Sequence, residues 1–173
     1  MSPRAVGDDE HSRTILNCIR QIVRALRLYD RESQSKFGLS AAQMYVLHTL
    51  HQDDGISLNE LATRTATDQS SASVVVQRLV AAEMVSRAPR EDDRRHVVLR
   101  LTPKGRNAIR RTPPPAQEKL LAVANELPPK QRAQFAELLE DFVNRMGIND
   151  EPPPMLFADE PPAPRRRGTS KPR

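Results

Sequence analysis

Hydroxyl, amide and guanidinium side chains are concentrated near the middle of the 173-residue chain. The run that starts at Gln69 places hydroxyl, amide and guanidinium groups on one side of a predicted helix, with no acidic residue before Glu83. Hydroxyls and amides hydrogen-bond base edges in the major groove, and arginine can grip guanine through two donors. We therefore predict base-reading contacts from Gln69, Ser70, Ser71, Ser73, Val74, Gln77 and Arg78.

A solvated helix whose serines merely cap its first turn is the alternative interpretation. Serine is only a middling helix former, so three serines within four positions are unusual for an ordinary exposed helix. The serine density favours a role in a groove.

Arginines also surround a charged loop further along the chain. Two runs typical of β-strands, 84–88 and 96–101, flank the loop from Pro89 to Arg95, which lacks glycine and is too long for a two-residue turn. On an extended hairpin Asp93 and Arg95 point the same way, so the carboxylate can brace the guanidinium for a narrow minor groove. The alternative is a solvated ion pair of little energy. We predict DNA contacts from Arg90, Asp93, Arg94 and Arg95.

Two short helices must position these groups. Ser57 and Glu60 have the spacing of a capping box, and Thr67 or Asp68 is a good N-cap for a helix that runs to about Glu83. The residues 57–102 therefore predict a winged helix-turn-helix. The inner stripe of its second helix is predicted as Ala72, Val75, Val76, Leu79 and Val80.

Helices with apolar stripes flank this motif. A helix from Glu10 to about Gln34 should end at Gly38, and a second helix should start at the Ser40 capping box. After Thr102, helices are predicted over 103–111, 116–126 and 130–146, broken by prolines. The first and last helices carry narrow stripes that suit helix–helix seams, namely Ile15, Ile19, Ile22, Leu26 and Tyr29, and Phe135, Leu138, Leu139, Phe142 and Val143.

Composition narrows the function class. The net charge of +5 and pI of about 9.9 favour an acidic partner, nucleic acid before an anionic membrane. A lone cysteine excludes an internal disulfide framework, and no signal peptide or membrane span is apparent, so we expect a soluble cytoplasmic protein. Because the chain contains no P-loop, nucleophile elbow or GxGxxG motif, we expect neither an enzyme nor a cofactor.

The stretches LNELATRT, QSSASVVVQRLVAAEMVSR and DDRRHVVLRLTPKG resemble the MarR family (multiple antibiotic resistance type) of bacterial regulators. The most specific element is the Asp-x-Arg of the wing followed by Leu-Thr-x-x-Gly, which falls on Asp93, Arg95, Leu101, Thr102 and Gly105. One residue departs from the family pattern, because Glu83 stands where the family usually has glycine before the first strand.

The resemblance implies a mainly α fold with a small β-hairpin wing, in which helices 10–36 and 103–147 form a dimerisation domain. A homodimer would place two reading helices about one DNA turn apart, ~34 Å, on a pseudo-palindromic operator. The family usually represses transcription and releases DNA when a small phenolic or anionic effector binds. By position only, effector contacts are predicted at Arg24, Arg27, Tyr29, Tyr45 and His48, with structural or solvated roles as the alternative.

Several alternatives remain at this point. One branch of the family senses hydroperoxides through a cysteine in the first helix, but the neighbours of Cys18 do not resemble that branch, so a buried packing role is favoured. The motif could instead bind another protein, or the regulator could activate transcription. His48 and His51 are spaced as a ligand pair, but no third ligand is evident, so no metal site is predicted.

The chain therefore divides into a flexible terminus at 1–9, one domain at 10–147 and a tail at 148–173 that is rich in proline and arginine and predicted to be disordered. Basic residues near the end of this tail could add non-specific DNA affinity by releasing counterions, or could be inert.

Overall fold

The computed structural model describes residues 9–90, 96–148 and 154–158, and within them the fold is mainly helical with one antiparallel hairpin. The predicted fold class and order of elements are confirmed. The elements are α1 (Glu10–Phe37), α2 (Ala41–Gln52), α3 (Leu58–Arg64), α4 (Gln69–Ala81), β1 (Val85–Pro89), β2 (Val97–Leu101), α5 (Pro103–Ile109), α6 (Ala116–Glu126) and α7 (Pro129–Arg145).

Local hydrogen bonds start the helices where the sequence predicts. At α2, the Ser40 hydroxyl accepts from the Gln43 amide at 3.2 Å, and the Gln43 side chain accepts from the Ser40 amide at 2.9 Å. Ser57 and Glu60 make the same reciprocal pair at α3, at 3.2 and 2.7 Å. Such caps satisfy amides that have no partner inside the helix. Both capping boxes are therefore confirmed.

The hydrophobic core lies between α2, α3, α4 and the hairpin. Helix α2 is its centre, since Met44, Val46, Leu47 and Leu50 are each at most 1% exposed. The predicted inner stripe of α4 is confirmed except at one position, Val80, which is 37% exposed. At 100° per residue this side chain lies about 40° beyond Val76, outside the buried arc of the helix.

A buried carboxylate, which the sequence analysis missed, fixes α1 to the start of α2. Asp30 is 1% exposed, and its side chain accepts from the Ala41 amide at 2.7 Å and from the Gln34 side chain at 2.6 Å. The hydroxyl of Ser33, one turn later, donates to the Leu39 carbonyl at 2.8 Å. A buried charge must be hydrogen-bonded to be tolerated, so this corner has one defined geometry.

Two apolar faces have no cover within the described chain. On α1, Ile15 and Ile22 are 49% and 47% exposed, and on α7 Phe135 and Leu138 are 55% and 69% exposed. These residues belong to the two stripes that the sequence predicts as helix–helix seams, in which Leu26, Tyr29 and Val143 are half-buried. None of the described helices combines the length and hydropathy needed to cross a bilayer.

The tail returns to the core. Met155 and Ala158 are 4% and 3% exposed and belong to the same buried cluster as the residues of α2 and α4. The prediction of disorder is therefore wrong for residues 154–158. The cause is Met155, whose unbranched side chain can fill an irregular gap in a core. Residues 149–153 and 159–173 lie outside the described residues.

Gly105 provides a test of the junction between the hairpin and α5. A Cβ at this position would overlap the Met84 carbonyl oxygen and lie 3.2 Å from a methyl group of Leu101. We expect Gly105→Ala to lower the free energy of unfolding by about 1–3 kcal/mol, as overpacking does.

Urea unfolding followed by circular dichroism measures this effect. The exposed neighbour Asn107 supplies the control, because Asn107→Ala should change stability by no more than about 0.5 kcal/mol. Equal stability of the two variants would show that the contact at Gly105 is not tight.

Candidate nucleic-acid interface

The turn between α3 and α4 sets the direction of the predicted reading helix. After α3, the Thr67 amide donates to the Ala62 carbonyl at 3.0 Å and the Ala66 amide donates to the Thr63 carbonyl at 3.2 Å, with Ala66 left-handed at φ 49°. This is the Schellman pattern that ends a helix within two residues. Asp68 then caps α4, so the two helices follow each other as a helix-turn-helix.

The outer face of α4 carries the predicted base-reading groups. Gln69, Ser70, Val74, Gln77 and Arg78 are exposed, whereas Ser71 and Ser73 are half-buried. The structure therefore brings the predicted set onto one surface, with the two half-buried serines at its edge.

Ser71 has a second role, in the cap of the helix. Its amide donates to the Asp68 carboxylate at 2.9 Å, and hydrogen bonds from its side chain and backbone hold the pKa of Asp68 below the ordinary value. The alternative interpretation of the serines as capping residues thus applies to Ser71. Gln69, Ser70 and Gln77 remain the side chains best placed to reach a groove.

Arg78 is already hydrogen-bonded within the chain. Its guanidinium donates to the carbonyl oxygen of Ala158, which lies in the buried part of the tail. Sequence reasoning missed this hydrogen bond because the two residues are 80 positions apart. A guanidinium has five N–H donors, so this bond leaves Arg78 further capacity for hydrogen bonding.

The hairpin continues beyond its strands. Its register pairs Val85 with Leu101 and Pro89 with Val97, and the Arg90 amide then donates to the His96 carbonyl at 2.8 Å. Arg90 is therefore at the base of the loop. Its charge contributes to lowering the pKa of Glu60 on α3, after the stronger effect of hydrogen bonds from Ser57.

The tip of the wing, residues 91–95, lies outside the described residues. The predicted DNA contacts of Asp93, Arg94 and Arg95 fall on this segment and stay predictions. The antiparallel stem nevertheless fixes the two points from which the loop starts and ends.

The stem is also attached to the loop between α2 and α3. The Leu99 amide donates to the Ile56 carbonyl at 2.8 Å, and the Gly55 amide donates to the Leu99 carbonyl at 3.1 Å. Asp54 adds an ion pair with Arg100 at 3.7 Å. Arg100 thus belongs to the base of the wing, where it is half-buried, and its guanidinium is turned toward Gly55. We call the unit formed by α2, α3, α4 and the hairpin the lobe.

Glu83 lies in the turn from α4 into the wing, at a position where the family usually has glycine. This residue is left-handed at φ 60°, and the amides of Glu83 and Met84 donate to Val80 and Leu79 at 2.9 Å each. Glycine is the usual residue at such a position because it has no Cβ to clash. The departure from the family pattern therefore changes the side chain and leaves the turn itself intact.

Three of the predicted effector residues converge near Glu118 on α6. Tyr29 donates to the Pro114 carbonyl at 2.7 Å, and burial, reinforced by the charge of Glu118, raises its pKa to about 12. The pKa of Tyr45 is raised by the same two causes. Burial lowers the pKa of His48, against the opposing effect of Glu118, and its ring lies 3.3 Å from the Thr112 hydroxyl.

The five predicted effector residues do not form one site. Arg24 and Arg27 line a groove along α1 with Ile19, Val23 and Arg31, whereas Tyr29 lines a different groove of about 630 Å³ between α1, α6 and α7. The second groove is largely apolar, with walls that include Ile22, Leu26, Leu120, Val123 and Phe135.

Cys18 is exposed on α1, so the expectation of a buried packing cysteine is wrong for the single chain. Its neighbours on the same helix are the uncovered apolar residues Ile15, Ile19 and Ile22. Within the described residues, no third metal-ligating side chain joins His48 and His51 in a group that could hold an ion.

Comparisons with known proteins agree with this geometry. Residues 37–96 match the model of the MarR family. The HTH-type transcriptional repressor MdtR of Bacillus subtilis (strain 168) is 31% identical over 74 residues, which are 43% of this chain and 48% of that protein. The chain therefore spans about half the length of this relative.

Two solved structures extend the similarity to most of the chain. BpsR of Bordetella bronchiseptica, whose DNA binding is regulated by 6-hydroxynicotinic acid, is 25% identical with a TM-score of 0.53, covering 86% of this chain and 100% of its own. A cysteine-to-serine mutant of MarR from E. coli, complexed with operator DNA, is 22% identical with a TM-score of 0.52, covering 79% and 99%. The likeness to MarR, at its lower identity, shows the fold alone.

The left-handed Glu83 supplies a test of the turn into the wing. We expect Glu83→Gly to be more stable than Glu83→Ala by about 1 kcal/mol, because only the alanine variant keeps a Cβ in a left-handed conformation. Both variants remove the exposed pair between Glu83 and Lys104, so that contribution cancels. Thermal and urea unfolding measure the difference, and an alanine variant as stable as the glycine variant would contradict the strain.

Proposed function

We propose that the chain is a MarR-family regulator, a cytoplasmic transcriptional repressor that binds a pseudo-palindromic DNA operator as a homodimer, which the match of residues 37–96 to the family model and the likeness to MdtR support. The observation that supports this most directly is the outer face of α4. It presents hydroxyl and amide groups without an acidic side chain, and it follows α3 through a tight helix-turn-helix.

In this proposal α4 enters the major groove and the hairpin reaches the adjacent minor groove. Gln69, Ser70 and Gln77 are exposed on the face that would meet base edges. Phosphates would be contacted by the arginines of the wing, whose antiparallel stem is bonded to the rest of the fold. The excess of positive charge over the whole chain favours association with a polyanion.

The two uncovered apolar faces support the homodimer in this proposal. Single exposed apolar side chains are common on protein surfaces, but α1 and α7 each carry several in a row, including Phe135 and Leu138 on α7. Contiguous apolar patches of this kind mark interaction surfaces. Packing them against the same faces of another chain would cover both. A two-fold arrangement would place the two α4 helices about one DNA turn apart, ~34 Å.

Release of DNA by a small molecule is the third part of the proposal. The groove beside Tyr29 lies between helices of the proposed dimer region, and its apolar walls suit an aromatic effector. A phenol or aromatic acid fits this description, and BpsR, which is regulated by such an acid, supports it. An effector that binds the DNA-free arrangement better would shift the dimer toward release.

DNA recognition is tested with Gln77→Ala and Arg95→Ala after selection of an operator from random duplexes. Gln77→Ala should weaken operator binding about 5- to 150-fold, the range of one base contact, with little effect on unrelated DNA.

Arg95→Ala should weaken binding to all duplexes and reduce the dependence of log K on log salt by about one for each phosphate that is no longer neutralised. Fluorescence anisotropy across a salt series measures both effects.

The matched control is Arg132→Ala, which removes an arginine that is bonded to Asn125 between α6 and α7, outside the lobe. Its operator affinity should equal that of the parent protein. If Gln77→Ala and Arg95→Ala also bind DNA like the parent, the winged helix is not the DNA-binding surface, and its alternative role as a protein-interaction module is favoured.

The dimer is tested with Leu138→Asp, because this side chain is 69% exposed and its replacement leaves the core of the lobe intact. We expect sedimentation to show a dimer for the parent and a monomer for the variant, since a buried unpaired charge would oppose association. Glu137→Gln on the same helix is the control and should remain dimeric. A monomeric parent protein would overturn this part of the proposal.

A further inference from the structure

A short segment of the tail, residues 154–158, lies beside the last turn of the reading helix α4. Met155 and Ala158 are 4% and 3% exposed and belong to the core cluster, whereas Leu156 between them is 41% exposed. The Ala158 amide donates to the Met155 carbonyl at 2.9 Å, which closes a turn. Phe157 in this turn is left-handed at φ 64°, a conformation that a residue other than glycine keeps only when its surroundings hold it. We call residues 154–158 the tail anchor.

The tail anchor presents one backbone carbonyl to the outer face of α4. That carbonyl belongs to Ala158, and it accepts a hydrogen bond from Nη1 of Arg78. Arg78 is nevertheless still exposed, one turn after the exposed Val74 and next to the exposed Gln77. A guanidinium has five N–H donors in a planar fork, so the bond to Ala158 leaves donors that can reach a base edge.

Fixing an arginine before it binds changes both the affinity and the selectivity of its contacts. A long side chain that is free in solvent loses rotamer freedom when it forms a bidentate contact, and this loss opposes binding. A guanidinium that is already held by a neighbouring carbonyl loses less. Its donors also stay at one place, so a base whose acceptors lie elsewhere is rejected more strongly.

We propose that the tail anchor positions Arg78 for the recognition of guanine, with Arg78 as the specificity-determining residue and Ala158 as its positioning residue. This inference rests on the proposed function, since it requires that the outer face of α4 meets base edges. Guanine offers two acceptors, O6 and N7, to an arginine fork in the major groove. The tail thus contributes to sequence specificity through a side chain of α4.

The experiment measures base discrimination by the full chain on an operator selected from random duplexes. Each G·C pair of a half-site is changed in turn to A·T, and the loss of affinity is measured for the parent, Arg78→Ala, Met155→Ser and Met155→Leu. Met155→Ser places a hydroxyl group at the buried position of the anchor. Met155→Leu is the matched control, because it keeps an apolar side chain of similar volume.

We expect one G·C pair whose replacement costs the parent about 5- to 150-fold in affinity but costs Arg78→Ala little. At that pair Met155→Ser should discriminate about 2- to 10-fold less than the parent, the effect of releasing one side chain. Met155→Leu should match the parent, and the other pairs should be read equally by the parent and both Met155 variants. A loss of stability alone would lower the active fraction equally for every duplex, so it would leave the discrimination at each pair unchanged.

A second measurement tests the tail anchor without DNA. NMR relaxation of the Arg78 Nε–H group should show a rigid side chain in the free parent protein and a mobile one in Met155→Ser. The guanidinium of Arg64, which is paired with Asp53 elsewhere in the lobe, is the internal control and should behave the same in both proteins.

Equal discrimination by Met155→Ser and the parent would overturn the proposal, and so would a mobile Arg78 side chain in the free parent. Tighter operator binding by Met155→Ser would also overturn it, because the tail anchor would then withhold Arg78 from DNA. The same holds if no G·C pair depends on Arg78. In all of these cases the parent still binds its operator and the proposed repressor function stands, whereas failure of the parent to bind any duplex would refute that function itself.

Discussion

The backbone of Met84 holds the reading helix, the wing and α5 at one point. Its amide closes the end of α4 by donating to Leu79 at 2.9 Å, and its carbonyl accepts from the Thr102 amide at 3.1 Å where β2 ends. The Thr102 hydroxyl donates to the Glu83 carbonyl at 2.7 Å, and α5 approaches so closely that only glycine fits at 105. The position of the hairpin relative to α4 depends on this junction. In the proposed complex α4 and the wing must match two neighbouring grooves of DNA, so the junction would set the geometry of recognition.

Elements that depend on nearby residues could be predicted from the sequence, and contacts between distant residues could not. The capping boxes at Ser40 and Ser57 lie within four positions, and both were predicted correctly. Asp30 bonds an amide eleven residues away, and nothing in its local pattern distinguishes it from a surface carboxylate. The same reason explains why the bond between Arg78 and Ala158 was not predicted. Composition also misled, because a tail rich in proline and poor in core formers predicts disorder, yet Met155 and Ala158 are buried.

The candidate site was predicted unevenly for a related reason. The outer face of α4 follows from helical periodicity, which depends only on the sequence of one element. The effector residues were placed by position along the chain, and the structure separates Arg24 and Arg27 from Tyr29 because they line different sides of α1. Convergence around Glu118 was not predicted, since it requires knowing how α6 packs near α1 and α2. The region matched by the family model, 37–96, includes α2 to α4 and the start of the hairpin, whereas the groove beside Tyr29 lies between α1, α6 and α7.

The buried Asp30 has a mechanical consequence. Its carboxylate bonds α1 to the first amide of α2, and α2 is the centre of the lobe. We therefore expect α1 and the lobe to keep a fixed relative orientation. Helix α1 has 28 residues, a rigid arm of about 42 Å. If this corner keeps its hydrogen bonds, a tilt of the far end of α1 would rotate α2, and the elements packed on α2 would turn with it. In the proposed dimer, the angle between the two α1 helices would then set the distance between the two α4 helices.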